Sequence, residues 1–514
     1  MGQDHELTGP DLKRGIPISD LSDGGMLLGH ADGRPVMLAR QDGEFFAVDG
    51  LCTHYSAPLS DGLLVGTTVR CPWHHACFDL RSGAALRAPA LRPLASWNVR
   101  VENDRVMITG PRQDVALPRH AGVVGENRGK NVVIVGGGAA GDAAADMLRQ
   151  QGHTGSIVIV SDDSAPPVDR PNLSKDYLAG SAPEDWIPLR SPDYYGEQRI
   201  DLITGRRVRR IDRQARRVEL DNAASQSYDA LILATGASPV RLPDSVSADR
   251  VHYLRTLADS RTIIAAAASA KRAVVIGASF IGLEVAAALR TRGLDVHVVA
   301  PEPHPLERVL GRAMSDFIRR THETHGVTFH LERTVASRTA TGVKLDDGRD
   351  VEADLVVAGI GVRPNDQLAQ DAGLAVDRGV VVDEYLATSD PAIYAAGDIA
   401  RFPDPRTGQA IRIEHWVVAQ RQGQTAALNI LGARQRFDDV PFFWSQHFDA
   451  TVGYVGHAEA WDDIDIDGDI DARDATVTYR KNGRVLAVAT LGRDRAGLEA
   501  ELLLEQAGIP AGMA

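Results

Sequence analysis

Cysteine is scarce in this chain. Only three occur in 514 residues: Cys52, Cys71 and Cys77. A disulfide framework is excluded in practice, and a reducing cytoplasm fits. Long apolar runs are missing as well. No stretch is long enough to span a bilayer, and alanine-rich segments such as 263–270 are short and flanked by charge. The opening MGQDHELTGPDLKRG has no apolar core of a secretory signal, and Glu6 stands where a myristoylation signal needs Ser or Thr. A cytoplasmic protein without a membrane span is expected. Positive charge is in deficit: 56 Lys and Arg face 69 Asp and Glu, a net charge of −13. That balance argues against nucleic acid or an anionic membrane as the main partner.

What is present is organised around residues 130–162, KNVVIVGGGAAGDAAADMLRQQGHTGSIVIVSD. The run reads as strand, glycine turn, helix, strand. Gly136, Gly138 and Gly141 form G-x-G-x-x-G. The first glycine allows the sharp turn, the second lets backbone approach a pyrophosphate, and the third lets helix pack on strand. The helix aims free N–H groups and its positive end at the phosphates. Asp162, just past the second strand, can accept hydrogen bonds from a ribose. A dinucleotide site is expected here.

Before it, residues 1–112 read as all-β. Short apolar runs are separated by Asp32-Gly33 and Asp42-Gly43, which signal hairpins. Then come Cys52-x-His54 and, after a gap, Cys71-x-x-His74. Two thiolates and two imidazoles on two loops suit a [2Fe–2S] cluster with the Cys pair on one iron and the His pair on the other. Zinc is the competing reading of the same four ligands. Pro72-Trp73 and Cys77-Phe78-Asp79 resemble the Rieske ferredoxin family over roughly residues 12–110, and that resemblance implies the cluster. Cys77 has no cysteine partner near His54, so it is expected as a small buried side chain. His75 stands where the family commonly has glycine, and is expected as a loop residue.

A second strand–turn–helix begins at Ala273, with Gly277-x-Ser279-x-x-Gly282. Serine replaces the middle glycine but is small enough for close approach. Two such units form an internal repeat, with flavin expected in the first and nicotinamide dinucleotide in the second. Glu302 follows the second strand of this unit and would repel a 2′-phosphate, so NADH is favoured over NADPH, with Arg308 just beyond weighing the other way.

Further motifs carry a second resemblance. Asp169-Arg170-Pro171-Asn172-Leu173-Ser174-Lys175, the strand and turn ending Ala234-Thr235-Gly236, Gly397-Asp398 and Glu414-His415-Trp416 resemble flavoprotein ferredoxin reductases and apoptosis-inducing factor. With the N-terminal module, the chain resembles fused Rieske, apoptosis-inducing-factor-like oxidoreductases. The resemblance implies that Arg170, Thr235, Gly236, Asp398, Glu414, His415 and Trp416 contact the flavin. It also implies that Lys175 and Glu284 pair near flavin and nicotinamide. With no cysteine beyond Cys77, a thiol mechanism is excluded.

The expected architecture is multidomain. A Rieske domain (1–112) and a linker (113–128) precede an FAD-binding α/β domain in two pieces (129–245 and 373–435). An NAD(P)-binding α/β domain (246–372) is inserted between them, and a small α+β C-terminal domain (436–514) follows. The expected function is electron transfer from NAD(P)H through FAD and the [2Fe–2S] cluster to a protein acceptor: an oxygenase, a cytochrome or a ferredoxin. The alternative is a redox sensor with slow turnover. A monomer or homodimer is expected. Two metal readings are set aside. Asp463-x-Asp465-x-Asp467-Gly468 mimics a calcium loop, but its alternating isoleucines read as a half-buried strand turning at Gly468. His322, His325 and His330 lack a complete ligand set.

Overall fold

The computed structural model describes residues 7–113, 115–116, 118–247 and 251–507. The N-terminal part is all-β. Met26–Ala31, Arg34–Gln41 and Glu44–Asp49 form an antiparallel meander. Asp32, Gly33, Asp42 and Gly43 all take positive φ at its turns, as tight hairpins require. A four-stranded sheet of Leu63–Val65, Thr68–Arg70, Cys77–Asp79 and Ala85–Arg87 carries the cysteine and histidine loops.

Two five-stranded parallel sheets follow, alike in their first four strands; the edge strand comes last in the chain in the first sheet and first in the second. The first runs Asp201–Ile203, Ile157–Val160, Val132–Val135, Ala230–Leu233, Ile393–Ala395. The second runs Val327–Leu331, Asp295–Ala300, Arg272–Ile276, Leu355–Ala358, His252–Tyr253. Val132–Val135 and Ile157–Val160 are buried throughout, which is why they read as unbroken apolar runs. Ile393–Ala395 pairs with Leu231–Leu233, so the chain returns to its first sheet after building the second. The antiparallel pair Ala237–Pro239 and Val362–Pro364 spans the two crossings.

The last part is an antiparallel sheet, Phe442–His447, Ala450–Gly456, Arg484–Leu491, Asp474–Lys481 and Asp463–Asp469, closed by the helix Asp494–Ala507. One expectation is corrected here. The strand does not turn at Gly468: it continues to Asp469, with Gly468 paired opposite Ala475 at φ +94°. The strand is also mostly exposed rather than half-buried. Its alternation carries acids instead of a core face, and extended backbone spreads the carboxylates instead of wrapping them. Asp467 and Asp474 both pair with Arg493.

Among the described residues, no helix is long and apolar enough to cross a membrane. The described part of 113–128 packs against the first parallel module. Val124 N–H donates to Leu431 O at 2.9 Å, and His120 N–H to Gln151 Oε1 at 2.7 Å.

Candidate functional site

The two loops that carry the candidate ligands share one backbone plan. Cys52 N–H donates to Ala57 O at 2.9 Å, and Cys71 N–H to Ala76 O at 2.8 Å. Ser56 and His75, four residues after each cysteine, both sit at φ +62°. That conformation explains why glycine is favoured at His75's position. The loops bring Cys52 against Cys71 and His54 against His74, with the two Nδ1 atoms 3.1 Å apart. Their mutual hydrogen bond pulls the Cys71 thiol below its usual value and pushes Cys52 above it. Burial pushes His54 down to about 3 and His74 well below its ordinary value, so both rings are neutral, the form that ligates. Paired thiols facing paired imidazoles fit two irons. Cys77 is buried and free, on the strand after the loop.

Each dinucleotide turn shows why its glycines stand where they do. Gly136 has φ +118°, and a Cβ there would lie 2.1 Å from Ala234 O. A Cβ on Gly141 would lie 2.0 Å from Gly136 O; on Gly282, 2.2 Å from Gly277 O. Ser279 does more than permit close approach. Its Oγ accepts from Gly282 N–H at 3.2 Å, capping the helix Phe280–Thr291, and donates to Gly359 O at 2.7 Å. Gly141→Ala should therefore overpack the first turn, costing about 1–3 kcal/mol. The variant should purify without stoichiometric FAD, read from the yellow supernatant after denaturation.

An open cleft of about 1050 Å³ runs from the first turn toward the C-terminal sheet. Gly138, Arg170, Lys175, Gly236, Glu284, Asp398, Glu414, His415 and Trp416 line it, as do Trp444 and Phe443. Lys175 Nζ is 2.9 Å from Glu284 Oε2, and that carboxylate also accepts from Ser174 at 2.6 Å and Ser445 at 2.7 Å. Arg255 pairs with Asp398 at 2.7 Å. Thr235 Oγ1 donates to Asn365 O at 2.8 Å beside the cleft. Burial lowers the Arg170 guanidinium to about 10 and His415 to about 3. His415 Nδ1 and Arg170 Nε are buried without a protein partner, as polar groups awaiting a ligand would be.

Other expected residues lie apart. Asp162 is exposed and pairs with Arg207 at 2.9 Å. Glu302 and Arg308 are exposed beyond the strand Asp295–Ala300. The three histidines diverge: His322 meets His447, His330 meets His297, and His325 stacks on Phe448.

Sequence reading missed how the loop that carries His74 meets this cleft. The His74 ring lies 4.1 Å from the Trp444 ring, and Lys175 Nζ stands 5.8 Å from the same indole. Tyr55 donates its hydroxyl to Asp169, whose carboxyl burial pushes up to about 6. Phe442–Ser445 is an aromatic run near the start of the last domain, and nothing local in it points to a histidine far upstream.

Residues 130–423 match the family described as pyridine nucleotide-disulphide oxidoreductase, more than half of the chain. The chain belongs to the pyridine nucleotide-disulphide oxidoreductases. Residues 15–98 of this oxidoreductase match the Rieske [2Fe-2S] domain, and 442–511 the reductase C-terminal domain. It is 33% identical to apoptosis-inducing factor 3 of Mus musculus over 494 residues, covering 93% of this chain and 81% of that one. It is 39% identical to putidaredoxin reductase of Pseudomonas putida over 378 residues, 71% of this chain and 90% of that one. The crystal structure of the covalent putidaredoxin reductase–putidaredoxin complex matches with TM-score 0.71 and 36% identity, over 74% of this chain and 96% of that one. The oxidoreductase thus uses FAD and NAD(H), carries a Rieske [2Fe–2S] cluster, and passes electrons from a nicotinamide nucleotide to an electron carrier.

Proposed function

We propose that electrons pass from NADH through FAD to the chain's own Rieske cluster, and from there to a separate protein acceptor: an oxygenase, a cytochrome or a ferredoxin. The observation that carries this reading is the contact of His74 with Trp444, because Trp444 also lines the cleft. One ring lies between a cluster ligand and the space assigned to the flavin. Cys52 and Cys71 hold one iron, His54 and His74 the other. The His-ligated cluster has a potential of about −150 to +300 mV, against about −400 mV for a plant-type cluster, so reduction by the flavin is downhill. Bound FAD supplies the conversion from hydride to single electrons.

In this reading Gly136, Gly138 and Gly141 present backbone N–H groups to the FAD pyrophosphate, with Arg170 as countercharge. Asp162 serves a ribose, Asp398 the ribityl chain, and Thr235, Gly236, Glu414, His415 and Trp416 the ring end. Gly277, Ser279, Gly282 and Glu302 hold the nicotinamide nucleotide. Lys175 and Glu284 stand where the two nucleotides meet. The domain limits given from sequence, one non-covalent FAD per chain and a monomer or homodimer complete the proposal.

Anaerobic stopped-flow mixing with NADH tests the route. Flavin should bleach first, and the cluster spectrum should follow at a rate independent of protein concentration. A cluster that stays oxidised beside fully reduced flavin overturns the reading. Slow turnover with retained nucleotide would point to the sensor instead. NADH should be preferred to NADPH by about tenfold or more in kcat/KM, because the Glu302 carboxylate repels a 2′-phosphate. Steady-state rates with both donors check this, and Glu302→Ala should narrow the gap.

A further inference from the structure

The Rieske module and the C-terminal domain meet in a buried cluster of charge. Glu501, on the helix Asp494–Ala507, is 0% exposed. Its Oε2 lies 3.0 Å from His75 Nδ1 and 3.3 Å from Arg70 Nη1. Its Oε1 accepts from Arg421 Nη1 at 2.9 Å, with Arg87 Nη2 at 3.9 Å. Glu505 takes Arg70 at 2.7 Å and Arg87 at 2.8 Å, and Asp439 takes Arg87 at 2.5 Å. Three guanidinium groups thus meet three carboxylates. Arg70 and Arg87 come from the Rieske strands, Arg421 from the helix Trp416–Ile430, and all three acids from residues 439–505. Arg421 is also bonded to His75 O at 2.9 Å and Ala88 O at 3.2 Å.

This cluster adjoins the cluster ligands through one residue. His75 follows His74, holds φ +62°, and stacks on Phe442 with centroids 3.9 Å apart. Phe442 and Trp444 are two apart on one strand, so they share a face. Consecutive histidines of the Rieske tip therefore seat on consecutive same-face rings: His75 on Phe442, His74 on Trp444. A non-glycine residue held at positive φ needs compensation from its surroundings. The Glu501 bond and the Phe442 stack supply it only while the domains are together. Pulling them apart would leave Glu501 and Arg421 without their cross-domain partners, which is strongly unfavourable for groups so buried.

We propose that Glu501 is a positioning residue that clamps the Rieske tip, keeping His74 on Trp444, so that the domain works as a fixed carrier and not as a swinging one. The inference rests on the electron route above and adds what holds it in register.

The test uses the full-length protein loaded with FAD and cluster. Glu501→Gln keeps the side-chain shape and removes the charge. After anaerobic mixing with NADH, its flavin phase should stay within about twofold of the parent. Its cluster phase should slow by at least about tenfold, since small misplacements of reacting groups cost that much. The cluster's electron paramagnetic resonance signal and midpoint potential should not move. Arg87→Glu should slow the same phase, and adding Asp439→Arg should recover part of the lost speed by giving the new carboxylate a cationic partner, the contacts of Arg87 with Glu505 and Glu501 staying lost. A mere folding defect would not be rescued by that swap. An unchanged cluster phase in Glu501→Gln overturns the proposal. So does failure of the swap to recover speed, which also decides the matter if Glu501→Gln loses its cluster. If the parent protein itself never reduces its cluster, the electron route fails. The clamp is then still read by hydrogen exchange, where Glu501→Gln must loosen both residues 71–76 and the helix Asp494–Ala507.

Discussion

Cys71→Ser abolishes the cluster and leaves reduction of FAD by NADH at the parent rate. The two halves of this result have separate causes. Cys71 is 1% exposed and stands against Cys52, and a serine hydroxyl is not a thiolate at any working pH. No other cysteine can replace it. Besides Cys52, itself one of the pair, Cys77 is the only one left, and it is buried on the strand Cys77–Asp79. The cleft proposed for the flavin, in contrast, is built from both parallel modules and the C-terminal sheet, and no Rieske residue lines it. The variant should lose the cluster's visible absorption and resonance signal completely. An anaerobic NADH titration should take up one electron fewer per chain. Flavin bleaching that slows along with cluster loss would show that the Rieske module shapes the hydride site.

Glu284→Ala should cost roughly 3–5 kcal/mol of stability and most of the hydride-transfer rate. Glu284 is 5% exposed, and its carboxylate collects Lys175, Ser174 and Ser445 from two other segments. Deleting it leaves a lysine that is only 11% exposed without its counterion and the Ser445 hydroxyl without its acceptor, while Ser174 keeps only the Pro171 carbonyl at 3.2 Å. The double variant Lys175→Met, Glu284→Leu separates the two effects. Replacing a buried ion pair by apolar groups is often close to neutral for stability, so melting should return toward the parent value. Hydride transfer should stay slow, because the charge that the proposed function places beside the nicotinamide is still missing. Recovery of both would mean that the pair is structural only.

Residues close in sequence made the chemistry legible. The glycines of each turn lie within six residues, and their role follows from backbone clearance inside one strand–turn–helix. Cys52 with His54 and Cys71 with His74 are likewise set by single loops. Spacing encodes such geometry because a short segment has few ways to close a turn or face two ligands one way. The parallel strands were readable for a similar reason: full burial leaves an unbroken apolar run.

What the tertiary structure alone decided involves partners far apart in the chain. Arg70 reaches Glu501 across 431 residues, Tyr55 reaches Asp169 across 114, and His74 meets Trp444 only because two domains dock. No periodicity or motif encodes these contacts, since each side reads locally as an ordinary loop, strand or helix residue. His75 shows the limit best. In sequence it departs from a glycine in a tight loop. In the fold it sits at positive φ, held by a carboxylate of the last helix. Gly468 shows the same limit in reverse: glycine suggested a turn, but pairing with Asp474–Lys481 carried the strand through it. Local backbone preference sets which conformations are open, and packing against distant elements selects among them.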